Sequence, residues 1–208
     1  MEGLNKFLED FFYARRRLVE KLLYHSMDEL KLDLIKSATL LSPMLATCGP
    51  AGPNVAPFMV SFLVKEKYLG EALEELRRIE REYWGRGLDA LKAAVRFLLD
   101  YVYNPDRSDV MTLVSHIMSR GHTWINIRAT GEASLGILIP PDEGAYEIRV
   151  EARIEEKGDI YEYANRVHDL MHVIPEGRRS HPWYPALIMR IKEIYDNSYT
   201  ALGRKIYG

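Results

Sequence analysis

The residues with the clearest chemical potential stand close together in "SRGHTWINIRATGE", residues 119 to 132. Ser119, Arg120, His122 and Thr123 bring two hydroxyls, a fixed cation and a titratable ring to one turn, and Asn126 follows one helical step later. The spacing predicts a short helix over 124–129, entered through a turn at Gly121. A helix start presents backbone N–H groups that have no intrahelical acceptor, and its dipole favours negative charge there. Two readings follow from these residues alone. Thr123 caps the helix while Arg120 and His122 stay in solvent; or the group forms an anion site, in which one charge-assisted bond from Arg120 contributes about 1.5–3 kcal/mol.

A second constellation is "NRVHDLMH", which places His168 and His172 four apart with Asp169 beside them and His181 further on. That spacing suits two imidazoles on one metal ion, although no glutamate stands where a zinc hydrolase needs one. The alternative is a pair of surface or interface histidines. The basic loop "EGRRSHPWYP" could receive an anion or a partner subunit, with Trp183 and Tyr184 anchoring the element after it.

These residues need elements to hold them. Leu4, Phe7, Phe11, Leu18 and Leu22 have helical spacing. "TLLSPMLATC" and "NVAPFMVSFLV" flank "GPAGP", whose Gly49 and Gly52 can take positive φ, so a β-hairpin is expected there. Pro43 and Pro57 place its strands at an edge or a bulge. Leu69, Leu73, Leu76 and Ile79 mark one amphipathic helix, and Leu88, Leu91, Val95, Leu98 and Val102 mark another, with "WGRG" between them. The charged face "EELRRIEREY" reads as a solvated surface with i, i+4 ion pairs. Strands are expected at 110–117, 132–139 and 145–156, the last with Tyr146, Ile148, Val150, Ala152 and Ile154 on one face. Asp159 starts a helix running to His172, and 184–204 reads as a last helix. The fold class is α+β: an antiparallel sheet or barrel, split by a helical hairpin and flanked by N- and C-terminal helices.

Composition narrows the function classes. The 208 residues can bury a sizeable core, with 47% hydrophobic and 28% charged residues, as in an ordinary globular protein. A net charge of −2 with interspersed signs gives no footprint for nucleic acid or an anionic membrane. The single cysteine, Cys48, excludes an internal disulfide framework and is expected to be a small buried apolar side chain in a reducing compartment. Charges near the N-terminus interrupt any signal-like core, and Val55 to Val64 is too short to span a bilayer. A soluble cytoplasmic protein is expected.

Two segments carry a family resemblance. "TCGPAGPNVAPFMVSF" (47–62) resembles the opening hairpin of the flavin reductase-like family in the FMN-binding split-barrel superfamily, with Ala51 where that family has Asp. "HTWINIRATGE" (122–132) is similar to its second signature, Thr-x-x-Asn-Ile followed by Thr-Gly-Glu. An archaeal group of uncharacterised flavoproteins carries close variants of both. The resemblance spans roughly residues 38 to 156 and implies a split β-barrel at 37–158 with a helical insertion at 66–104. Residues 1–36 form an N-terminal helical segment and 159–208 a C-terminal helical segment packed on the barrel. It further implies FMN as cofactor, a flavin-dependent oxidoreductase activity, a nicotinamide donor bound without a Gly-x-Gly-x-x-Gly fingerprint, and a homodimer with FMN between subunits. Arg120, His122 and Thr123, with Ser119, would then hold the FMN phosphate, and Asn126 would fix the loop or touch the ribityl chain. Asn54, Pro57, Phe58 and Ser61 would lie along the isoalloxazine ring. A scaffold that kept this fold and lost the cofactor, and a metal site at His168 and His172, are the alternatives.

Overall fold

In the computed structural model, which describes residues 2–24, 42–139, 144–171 and 183–208, helices pack around one antiparallel sheet. The chain begins with α1 (Glu2–Leu8), a π-helical turn (Glu9–Tyr13) and α2 (Ala14–Lys21), which together place Phe7, Phe11 and Phe12 in the core. The hairpin β1 (Met44–Thr47) and β2 (Asn54–Pro57) follows, then β3 (Ser61–Val64). Two helices, α3 (Glu66–Tyr83) and α4 (Leu88–Phe97), lie between β3 and β4 (Ser108–His116). After α5 (His122–Thr130) come β5 (Glu132–Ile139), β6 (Gly144–Glu155), α6 (Asp159–Met171), β7 (Ala186–Asp196) and β8 (Arg204–Tyr207).

The strand order is β2-β1-β5-β6-β7-β4-β3, with β8 paired to β7 outside that path. Its two end strands are consecutive in sequence, joined only by Phe58, Met59 and Val60. A flat sheet of that order would hold its ends roughly 29 Å apart. The link reaches about 14 Å when fully extended. The sheet must therefore be rolled, and because β2 and β3 are not hydrogen-bonded to each other a seam remains open between them. The interior of the roll is filled. Phe7 meets Tyr146 edge-on at 5.2 Å, and Phe11 and Phe12 meet Phe62 at 5.5 and 5.0 Å. Arg15 is fully buried among Phe11, Phe62 and Tyr103, donates to the Val60 carbonyl, and has its pKa lowered by that burial.

Three expectations need correction. Residues 184–204 are not a helix: β7 is a central strand between β6 and β4, and β8 follows it. Ala186 to Met189 are buried on both faces, and a bulge opposite Arg149/Val150 breaks the alternation further along, so the run has no period of two to read. Cys48 is exposed, because it leaves β1 on the turn side. The charged face of α3 is not only solvated. Arg78 pairs with Glu75 and Glu82 along the helix, but Arg77 makes two 2.7 Å bonds to Glu162 of α6, which Arg166 also contacts. Residues 25–36 of the N-terminal segment lie outside the described residues, as do His172 and His181.

Candidate functional site at the seam

β4 runs between β7 and β3 and releases the chain at Ile117, and Gly121 then turns it into α5. The first intrahelical bond runs from Ile125 N to Gly121 O at 3.0 Å, so the N–H groups of His122, Thr123 and Trp124 have no acceptor within the helix. Among the described residues no side chain caps them. Thr123 is not the cap: its Oγ1 accepts a 2.8 Å bond from Asn54 Nδ2, tying the helix start to β2. Another side chain anchors the same helix. Asn126 is fully buried, donates through Nδ2 to Gly52 O (2.7 Å) and Thr47 Oγ1 (3.3 Å), and accepts from Ala51 N (2.9 Å). Gly49 is needed for space rather than for positive φ, since a Cβ there would stand 2.9 Å from Asn126 Oδ1. The Thr-Gly-Glu ending also has a local cause. Gly131 takes φ 68 and bonds back to Ile127 O, while Thr130 Oγ1 bonds Asn126 O and accepts from Glu132 N.

A cavity of about 480 Å³ opens in front of the uncapped helix start. Asn54 and Pro57 of β2 and Phe58 of the link form one wall; Ser119, His122 and Thr123 form another. Six of the nine residues singled out from sequence thus face one space. The other three do not. Arg120 turns to a neighbouring cleft, pairs with Glu156 at 2.9 Å, lies 5.1 Å over the Trp124 ring, and leaves 73% of its side chain exposed. Asn126 is buried behind the helix, as the bonds above require. Ser61 is buried on β3 and lines a separate, smaller space.

His116 is the residue that sequence reading missed. It ends β4, is buried, and lines the cavity together with His168 of α6; the two rings are edge-to-face with centroids 4.2 Å apart. The available signal was its place at the end of the strand that leads into Ser119–Gly121. His168 is a candidate from sequence through its spacing with His172, which lies outside the described residues. Among the described residues no group of three metal-ligating side chains gathers. A larger trough of about 1260 Å³ runs over the outer face of the sheet. Several of its charges answer one another, Arg149 pairing with Glu147 and Glu193 and Lys192 with Glu151. The seam cavity is the better candidate because a helix start opens on it whose first N–H groups have no cap among the described residues.

No protein-family model matches the chain, and no curated protein matches it. Among solved structures it is similar to HupZ of Group A Streptococcus, at 19% identity over 87% of this chain and 98% of that one, TM-score 0.47. It is similar to an FMN-binding protein from Syntrophomonas wolfei at 13% identity over 95% and 92%, TM-score 0.47. A third is a protein related to general stress protein 26, of the pyridoxinephosphate oxidase family, from Clostridium acetobutylicum: 10% identity over 88% and 94%, TM-score 0.44. No helix of the described residues is long and apolar enough to cross a membrane.

Proposed function

We propose that the seam cavity binds FMN and that the protein is a flavin-dependent oxidoreductase of split-barrel type. The observation that carries this reading is the uncapped start of α5 opening on a cavity of about 480 Å³, within the usual range for small-ligand sites. The donor set fits a phosphate: three backbone N–H groups at a helix start, with the Ser119 and Thr123 hydroxyls and His122 beside them. Arg120 would join them at small cost, because an exposed ion pair such as Arg120–Glu156 contributes under about 1 kcal/mol. The unpaired outer edge of β2 offers backbone N–H and C=O groups to the polar edge of a flat ring, and Pro57 and Phe58 offer it an apolar wall. Bound FMN would supply the hydride and electron transfer; the chain's part is to hold, orient and shield it.

In this reading the donor is a nicotinamide, the helices at 66–104 are an insertion into the split barrel, and a second copy completes the shielding of the site in a cytoplasmic homodimer. The experiment is an FMN titration followed by fluorescence quenching, with an absorption spectrum of the untreated protein. Quenching that weakens in Arg120→Ala and Thr123→Ala supports the reading; no quenching by the unmodified protein ends it.

A further inference from the structure

Two spaces meet at the His116–His168 pair. Both rings line the seam cavity, and both also bound a space of about 20 Å³ beneath it, together with Ser61 and Ser115. That volume admits one water molecule. The wall is polar and incomplete. Ser115 Oγ donates to Met59 O at 2.6 Å, whereas Ser61 Oγ is buried and has no hydrogen-bond partner among the described residues. The two imidazoles also differ in depth. His116 is 7% exposed, while 27% of the His168 side chain reaches solvent. The pair therefore spans the distance from solvent to cavity wall.

We propose that His168 and His116 form a proton relay that serves the ligand of the seam cavity, with Ser61 holding a bridging water in the small space. The inference rests on the FMN reading above. The rings meet edge to face at 70°, a packing contact, so the water supplies the hydrogen-bonded link between them. Protonated His168 passes a proton through that water to His116, His116 gives one to the ligand, and His168 recovers one from solvent. The net change is one proton moved from water to ligand; no electrons pass through the rings. Among the described residues, the groups that face the pair include His122 across the cavity, Asp169, whose Oδ1 is 3.8 Å from His168 Nδ1, and Tyr184, whose ring lies 6.4 Å from that of His116. His168 and Ser61 are positioning residues, and His116 is the group that faces the ligand.

The test uses FMN as the probe. FMN bound to the full chain is photoreduced by a sacrificial tertiary-amine electron donor, the same in every sample, and proton uptake from weakly buffered indicator solution is timed in the unmodified protein, His116→Gln, His168→Ala and Ser61→Ala. Fluorescence quenching measures FMN binding separately. The expected result, at FMN concentrations that the titration shows to be saturating for each variant, is uptake slowed at least roughly tenfold in both histidine variants. Imidazole added to solution should restore the rate in His168→Ala, because that side chain reaches solvent, and this rescue decides the matter should His116→Gln fail to fold. Unchanged uptake in FMN-loaded His168→Ala overturns the relay and leaves the FMN reading standing. Absence of FMN binding to the unmodified protein overturns both.

Discussion

Truncating Asn126 to alanine removes three hydrogen bonds that join α5 to the β1–β2 turn. Each such bond is worth about 0.5–1.5 kcal/mol net, and the 3.3 Å contact to Thr47 belongs at the low end. The expected loss is about 2–4 kcal/mol, with Gly52 O and Ala51 N left partly buried and unanswered. For a domain of this size that is a drop of roughly 5–15 °C in Tm, read by thermal unfolding followed by circular dichroism. Asn126→Asp sharpens the test. It keeps the shape and the acceptor for Ala51 N but turns a carboxylate oxygen toward Gly52 O and Thr47 Oγ1, so it should cost at least as much. Gly49→Ala adds a third arm, because its Cβ would meet Asn126 Oδ1 at 2.9 Å. That contact disappears in Asn126→Ala, so the double variant should lose less than the sum of the singles. Melting within about 2 °C of the unmodified protein for both Asn126 variants would refute the clasp.

Other outcomes follow from the same contacts. Arg120→Ala should lower stability by under about 1 kcal/mol, since its pair with Glu156 is exposed, yet weaken FMN binding roughly tenfold in a fluorescence titration. Glu162 is held at about 2 by its bonds to Arg77, and then to Arg166, against the opposing effect of burial. Its folded pKa is depressed, so its stabilising contribution is complete above the unfolded value of 4.5 and fades as pH falls toward 2. The Tm difference between the unmodified protein and Glu162→Gln should accordingly shrink between about pH 5 and pH 2, and a constant gap across that range would contradict the assignment. Gly131→Ala forces a non-glycine residue to φ 68 at the end of α5 and should cost about 1 kcal/mol in chemical denaturation.

How much of this was legible depended on whether a residue answers to its neighbours in sequence or to distant strands. β5 and β6 were legible because one face of each is buried and one is not, which writes a period of two into Glu132–Ile139 and Gly144–Glu155. β7 was not, because a central strand covered at its start on both faces reads Ala-Leu-Ile-Met without alternation. The same limit governed the site. Gly121, Thr123 and Asn126 form a local turn-and-helix pattern, so their cluster was visible, but Asn54 as the partner of Thr123 follows only from the register of β2. Arg15 shows the limit from the other side: its position on an amphipathic helix suggests solvent, and only the aromatic residues gathered from Phe11, Phe62 and Tyr103 make it a core residue.

The location of the cavity follows from how the roll is filled. A rolled sheet can hold a ligand inside or at its edge, and here the N-terminal helices supply Phe7, Phe11 and Phe12 to the interior, where they pack on Phe62 and Tyr146. That leaves the seam. The three-residue link brings β2 and β3 close, yet they do not pair, and an unpaired strand edge exposes backbone donors and acceptors for a partner to satisfy. α5 starts beside that edge with its own N–H groups uncapped, and Asn54–Thr123 ties the two together at 2.8 Å. Two sets of unsatisfied backbone groups, one beside a short strand and one at a helix start, thus converge on one space with an aromatic side chain, Phe58, in its wall. A ligand that answers both is polar along one side and anionic at one end.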